Sequence, residues 1–172
     1  MLMAPLVRRT WSPQGQTPIF YQRTSSHRKV SVIAALCVAP GRAKLDFYFR
    51  LHPDANINAE LVREFLRHLL RQLNGPAVIV WDLLPAHRSK MVQAFIQATP
   101  HLYAFFLPPY APELNPVEYV WSYLKMNPLA NRSFFELNSL VTVTRSHVRS
   151  LQRKQRLLRS FMEHSPLSLR LK

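Results

Sequence analysis

The stretch VIVWDLLPAHRSK (residues 78–90), followed by FFLPPYAPELNPVEYVWSYLK (residues 105–125), decides how the rest of the chain is read. Each half runs from an apolar strand, through a short connection, into a helix. Residues 77–81 (AVIVW) are β-branched and continuously apolar, the pattern of a strand buried on both faces, and they stop abruptly at Asp82. After LLPAH an amphipathic helix is expected over residues 89–98, ended by Pro100, with a further apolar strand at 102–107. Pro108, Pro109, Pro112 and Pro116 then stiffen the connection to the next helix, because proline fixes φ and removes a donor. Asn115 is a suitable N-cap, and Pro116 suits the first helical turn. Glu118 falls three residues past the cap, at the acidic position of a capping box.

Upstream, residues 1–29 are turn-rich, with a short strand expected at 19–23. Residues 30–39 (VSVIAALCVA) again read as a strand buried on both faces. Pro40-Gly41 makes the turn, and 44–50 (KLDFYFR) alternate as a hairpin partner nearer an edge. A helix follows Asn58, with Leu61, Phe65, Leu66, Leu69, Leu70 and Leu73 on one face, and Asn74-Gly75-Pro76 stops it. The order β-β-α-β-α-β-α implies an α/β sheet of mixed direction flanked by helices. From Asn131 onward the pattern is wholly helical and basic. The division this predicts is residues 1–130 as a catalytic-type α/β domain and 131–172 as a basic helical tail.

Composition narrows the function. The 172 residues hold 23 Lys+Arg against 9 Asp+Glu, a formal charge of +14. The partner implied is an anion, with nucleic acid the default. At 48% hydrophobic the chain is too apolar for a disordered basic tail. Three glycines exclude a dinucleotide-binding loop or a phosphate-cradling P-loop, both of which need closely spaced glycines. Cys37 is alone, which fits a reducing compartment and the role of a small buried hydrophobe. No apolar run reaches the roughly 20 residues needed to span a bilayer, so no membrane partner is expected.

Of the nine acids, Asp82 and Glu118 are placed for chemistry. Asp82 sits at the C-terminal end of a buried strand, where open α/β sheets place ligand sites. For a lone Asp at a strand end, a turn or helix-capping role is the more frequent one. Glu118 is either the acid of a capping box or a carboxylate held rigidly at a helix start. Strand–helix–strand–helix passage can bring the two together, and carboxylates so placed raise each other's pKa unless divalent ions separate their charges. His87 is by itself an ordinary loop histidine. Arg145, Arg149, Arg153, Lys154, Arg156 and Arg159 lie in one stretch without an intervening acid. They are either a solvated helix face or a set of phosphate contacts.

The two quoted stretches, with RRTWSPQGQTP (residues 8–18), closely resemble the DDE superfamily endonuclease domain of bacterial insertion-sequence transposases related to the mariner group. The likeness lies in an Asp after a strand, a His a few residues on, and a proline-rich loop running into Asn-Pro-x-Glu and a Trp. It covers residues 5–132. It implies a ribonuclease H-like fold and a triad of acids holding two Mg²⁺ or Mn²⁺ ions about 3.5–4 Å apart for DNA cleavage and strand transfer. Asp82 matches the second acid and Glu118 the third, both as metal ligands. His87 and Asn115 match positions supporting the ligands or contacting phosphate. The partners implied are DNA, at the element's terminal repeats and its target, and a homodimer or full-length transposase. The location implied is the bacterial cytoplasm, with the nucleoid.

In that pattern the first acid lies on an opening strand ahead of RRTW. No acid precedes Asp46, which falls on the expected solvent face of its strand. The first catalytic strand is therefore expected to be missing from these residues, and the 172-residue chain to be inactive alone. The alternative is a non-enzymatic nucleic-acid-binding remnant or regulator.

Overall fold

Two strand pairs carry the fold. In the computed structural model, residues 3, 6–19, 21, 28–41, 43–73 and 75–167 are described. β1 (Val30–Val38) and β2 (Leu45–Pro53) pair antiparallel, from Val38 opposite Leu45 to Val30 opposite Pro53. α1 (Ala59–Gln72) follows, with Asn58 Oδ1 accepting from the Leu61 N–H at 2.9 Å as an N-cap. β3 (Ala77–Trp81) leads through α2 (Lys90–Gln97) to β4 (Leu102–Phe106), which lies parallel to β3 with Trp81 opposite Phe106. That is a βαβ unit, the connection a parallel pair requires. α3 (Pro116–Met126), α4 (Leu137–Gln152) and α5 (Gln155–His164) complete the chain.

The element order and the mixed strand directions are those expected. The strand expected at residues 19–23 lies outside the described residues, save for Ile19 and Tyr21, which belong to no strand. The helical region begins at Leu137, not Asn131, and breaks between α4 and α5. At the break the Arg153 N–H turns back on Ser150 and Leu151, and Lys154 leaves helical geometry.

The core is divided between the two strand pairs. Leu45 and Phe47 of β2 pack with Val120 and Leu124 of α3, Val148 and Leu151 of α4, and Leu158 of α5. Val62 and Leu66 of α1 pack with Ala77, Trp81 and Leu102, and with Val92 and Ile96 of α2. Ile33 of β1 joins this second cluster while Ala34, Leu36 and Val38 join the first. The pleat of β1 thus ties the clusters together through alternate residues. α4 and α5 share the core of the β1–β2 pair. They also satisfy the outer edge of β2: Gln155 Nε2 donates to Leu45 O (2.8 Å), Gln155 Oε1 accepts from the Leu45 N–H (3.2 Å), and Gln152 Nε2 donates to Phe47 O (2.7 Å). An edge strand whose backbone groups are met by side chains offers less of a template for unwanted pairing.

One expectation is corrected. β3 is buried on one face only, because Val78 and Val80 are 64% and 49% exposed beside Tyr103 (55%) and Phe105 (59%) of β4. α1 and α2 cover the face made by Ala77, Trp81 and Leu102, and no described element covers the other. A continuous apolar run identifies a strand without saying how many of its faces are covered. Cys37 is half-buried, and burial, reinforced by the Asp46 carboxylate opposite, pushes its thiol up to about 12, so it stays protonated and unreactive. No helix among the described residues is long and apolar enough to cross a membrane.

Leu158 is fully buried, so Leu158→Ala should cost about 2–5 kcal/mol. Val80→Thr on the exposed face should change stability by no more than about 0.5 kcal/mol. Urea unfolding midpoints of the two variants check both, and a small loss for Leu158→Ala would show that α5 is not part of the cooperative fold.

Candidate active site

The parallel register brings the ends of β3 and β4 together. The Leu107 N–H donates to Trp81 O at 2.7 Å, extending the ladder one residue past β4, so the chain leaves both strands side by side. Asp82 stands at this point. Its Oδ1 accepts from the Leu84 N–H (3.1 Å) and from His87 Nδ1–H (2.7 Å). The turn-forming role is therefore real, and half of the carboxylate's surface still faces solvent. His87 is not an exposed loop histidine. Its ring stacks on Trp81, with centroids 4.4 Å apart and planes within 8°, its N–H donates to Leu84 O (2.8 Å), and its carbonyl accepts from Gln93 Nε2 (2.8 Å). The histidine is fixed on several sides and in turn fixes one oxygen of Asp82.

Glu118 arrives by the four-proline connection. Pro112–Leu114 forms a 3-10 turn, and the Asn115 N–H donates to Pro112 O at 3.0 Å. Asn115 Oδ1 caps α3 by accepting from the Val117 N–H (3.1 Å). A capping box would use Glu118 to satisfy the Asn115 N–H. That donor is already paired, so the cap does not require the glutamate. Val120 and Leu124, wholly buried, hold the helix behind it. The end of α5 braces the loop: Ser165 Oγ donates to Leu114 O (2.9 Å), and the Tyr119 hydroxyl lies 3.2 Å from Glu113 O and 3.3 Å from His164 O. The C-terminal helices therefore help position the site.

Asp82, Asn115 and Glu118 line one cleft of about 450 Å³, together with Arg88, Leu107 and Tyr110. Burial raises the Glu118 carboxyl above its ordinary value, Lys125 opposes the rise, and the negative charge of Asp82 adds to it. The two carboxylates thus sense each other across the cleft. Two other acids are neutralised by arginines: the Arg28 guanidinium holds Asp54 below the usual range (2.7 Å) and Arg50 does the same for Glu64 (2.7 Å). Asp46, the substitute acid set aside on sequence grounds, pairs with Lys44 at 2.9 Å. Two hard carboxylates whose mutual charge is only partly compensated suit a divalent cation with oxygen ligands. Among the described residues, no group of three His, Cys, Asp or Glu is assembled to hold a metal.

The basic residues lie elsewhere. Arg145 and Arg149 on α4, Arg153 and Lys154 at the break, and Arg156 on α5 are exposed. Arg159 is half-buried and donates from Nη2 to Ala43 O. None of them lines the cleft. Arg88 and Tyr110, which are not among the residues expected from the sequence, do line it. Tyr110 sits in the left-handed region (φ 58°), an uncommon state for an aromatic residue, and it is 99% exposed. The signal available beforehand was a large aromatic ring between the prolines of a loop expected to position something.

Comparison with known proteins bears on the family and the fold. An uncharacterised Sinorhizobium fredii protein, y4pE/y4sA, is 33% identical over 87 residues, 49% of this chain and 62% of that protein. The Mos1 transposase paired-end complex with the left transposon end superposes with a TM-score of 0.72 at 16% identity, over 96% of this chain and 49% of that one. The Mos1 mariner paired end complex with Mn gives 0.65 at 16% identity, over 93% and 49%. The catalytic domain of Mos1 mariner transposase gives 0.54 at 17% identity, over 80% and 76%. At such identities the likeness establishes the ribonuclease H-like fold, and the chain spans about half the length of the longer Mos1 chains. Residues 3–141 match the DDE superfamily endonuclease family. With that match running through β1–β4 and both carboxylates of the cleft, the chain belongs to the DDE superfamily endonuclease family.

Proposed function

We propose that this chain is catalytic-domain sequence of a transposase that cleaves and joins DNA strands by phosphoryl transfer, with Asp82 and Glu118 as two of its acids. The observation that carries the reading is the single cleft in which a half-exposed Asp82 and a desolvated Glu118 act on each other. Asp82 and Glu118 would hold Mg²⁺ or Mn²⁺. When bound, such ions stabilise the entering and leaving oxygens of an in-line displacement at phosphorus. The chain's own residues do the positioning. His87 aims one oxygen of Asp82, Trp81 holds the His87 ring, and the proline-stiffened loop fixes the start of α3. Arg88 brings positive charge to a cleft that must accept a phosphodiester.

The exposed basic residues of α4 and α5 are proposed to contact DNA backbone, at element ends or target, as part of a homodimer or with a full-length transposase. The compartment proposed is the bacterial cytoplasm, at the nucleoid. With Asp82 and Glu118 proposed as two acids of a three-acid mechanism, these 172 residues are proposed not to cleave DNA by themselves. The competing reading, a DNA-binding regulator, draws on the exposed basic residues of α4 and α5, which suit phosphate binding without chemistry. A chain that binds DNA yet takes up no Mn²⁺ would be the regulator.

Incubating the purified chain with Mn²⁺ and terminal-repeat DNA should give no metal-dependent nicking. Nicking that disappears in Asp82→Ala would overturn the expected inactivity. A second experiment addresses the ligands. A raised Glu118 pKa means the folded protein keeps its proton longer, so Mn²⁺ affinity should climb as pH rises through the range just above ordinary carboxylates, then level off. Glu118→Gln should weaken binding and flatten the profile, and His87→Ala should weaken it by about 10–100-fold. Free Mn²⁺ measured by electron paramagnetic resonance reads all three, and a pH-independent wild type would remove Glu118 from the ligand set. DNA affinity should fall by roughly one power of salt concentration per phosphate neutralised. A binding constant unchanged between low and physiological salt would remove the phosphate contacts.

A further inference from the structure

Tyr110 does no packing that would account for its size. Its ring is 99% exposed, and its backbone φ of 58° is one that glycine or asparagine adopts with less strain. A bulky side chain at such a position is uncommon, and strain of this kind collects at functional sites. The surrounding chain explains how the position is held. Leu107 is buried and bonded to Trp81, Pro108 and Pro109 fix the approach, and the Leu114 N–H donates to Ala111 O (3.2 Å) in the turn beyond. The ring therefore stands on a rigid support, at the cleft that contains Asp82 and Glu118. Arg88, exposed, lines the same cleft.

From this arrangement we infer that Tyr110 is a stacking platform for an unpaired nucleobase next to the phosphodiester held in the cleft, with Arg88 taking the flanking phosphate. This rests on the DNA reading above and adds to it a specific recognition element. An aromatic face is the chemistry that receives an unstacked base regardless of its identity, and a guanidinium is the partner for the backbone beside it. A base can reach such a ring only when it is unpaired, so the platform selects frayed or single-stranded ends over intact duplex. Leu83, next to Asp82, lines the same cleft and adds an apolar edge.

The test uses the full chain and two fluorescein-labelled oligonucleotides of the same sequence, one blunt and one with a short single-stranded overhang. Fluorescence anisotropy gives both affinities. The wild type should favour the overhang by about tenfold. Tyr110→Gly should bring that ratio close to one, and Tyr110→Trp should keep it. Glycine suits the left-handed backbone, so the urea midpoint of Tyr110→Gly should equal or exceed that of the wild type, which separates loss of stacking from loss of fold. Arg88→Gln should weaken both oligonucleotides alike and lower the salt slope by about one. An overhang preference equal in wild type and Tyr110→Gly would overturn the platform and leave the ring for a protein partner, while DNA binding itself stands. Absence of any salt-dependent binding to either oligonucleotide would overturn the DNA reading and the platform together.

Discussion

The parallel pairing of β3 with β4 is the constraint on which the site depends. Two parallel strands end at the same edge of a sheet, and the hydrogen bond from Leu107 to Trp81 carries that alignment past the last strand residue. Whatever follows β3 must therefore meet whatever follows β4. Asp82 follows the first strand and the proline-rich approach to Glu118 follows the second. The register of five residue pairs brings the two connections together, and the contacts from the end of α5 to the loop complete the placement of Glu118. The helix crossover that parallel strands require supplies the second half of the arrangement. α2 packs Val92 and Ile96 under the strands while its start anchors the Asp82–His87 turn through Gln93.

Electrostatics gives the cleft its character. In a chain of formal charge +14, acids are easily neutralised, and Asp46, Asp54 and Glu64 each have a basic partner within 3 Å. Glu118 runs the other way. Burial and the neighbouring Asp82 oppose its ionisation, and Lys125 offsets them only in part. The half-exposed Asp82 faces it from the other side of the same cleft. The support comes from beyond the α/β core, since α5 braces the loop through Ser165 and α4 and α5 hold the edge of β2 through Gln152 and Gln155. A basic helical segment that reads as an appendage is built into both the core and the site.

Much of the site was legible because its signals are local. A cap residue, a proline at the first helical position and an acid three residues on can be read without knowing any neighbour, and so can an Asp at the end of an apolar strand. What those signals left open was the choice between a structural and a chemical role. For Glu118 the choice turned on the Pro112–Asn115 hydrogen bond, which satisfies the donor a capping box would have used. For His87 it turned on the stacking against Trp81 and the 2.7 Å contact to Asp82. Both are contacts between groups whose spacing is compatible with either outcome until the turn geometry is known. Arg88 carried no pattern of its own, and Tyr110 only its place between the prolines of the loop. They became visible as lining residues only when the cleft had walls.

The amino-acid sequence by itself determined the order of strands and helices, the capped start of α3, the stiffness of the loop before it, and the two acids worth comparing. These follow from propensity, periodicity and proline chemistry, which act within a few residues. Only the tertiary structure decided that no described element covers one face of β3–β4, that the basic helices belong to the core, and that Asp82 and Glu118 share a cleft. Those outcomes depend on which surfaces meet. A continuous run such as AVIVW buries itself on one side or two according to what packs against it, and a carboxylate changes its proton affinity according to what lies across the gap.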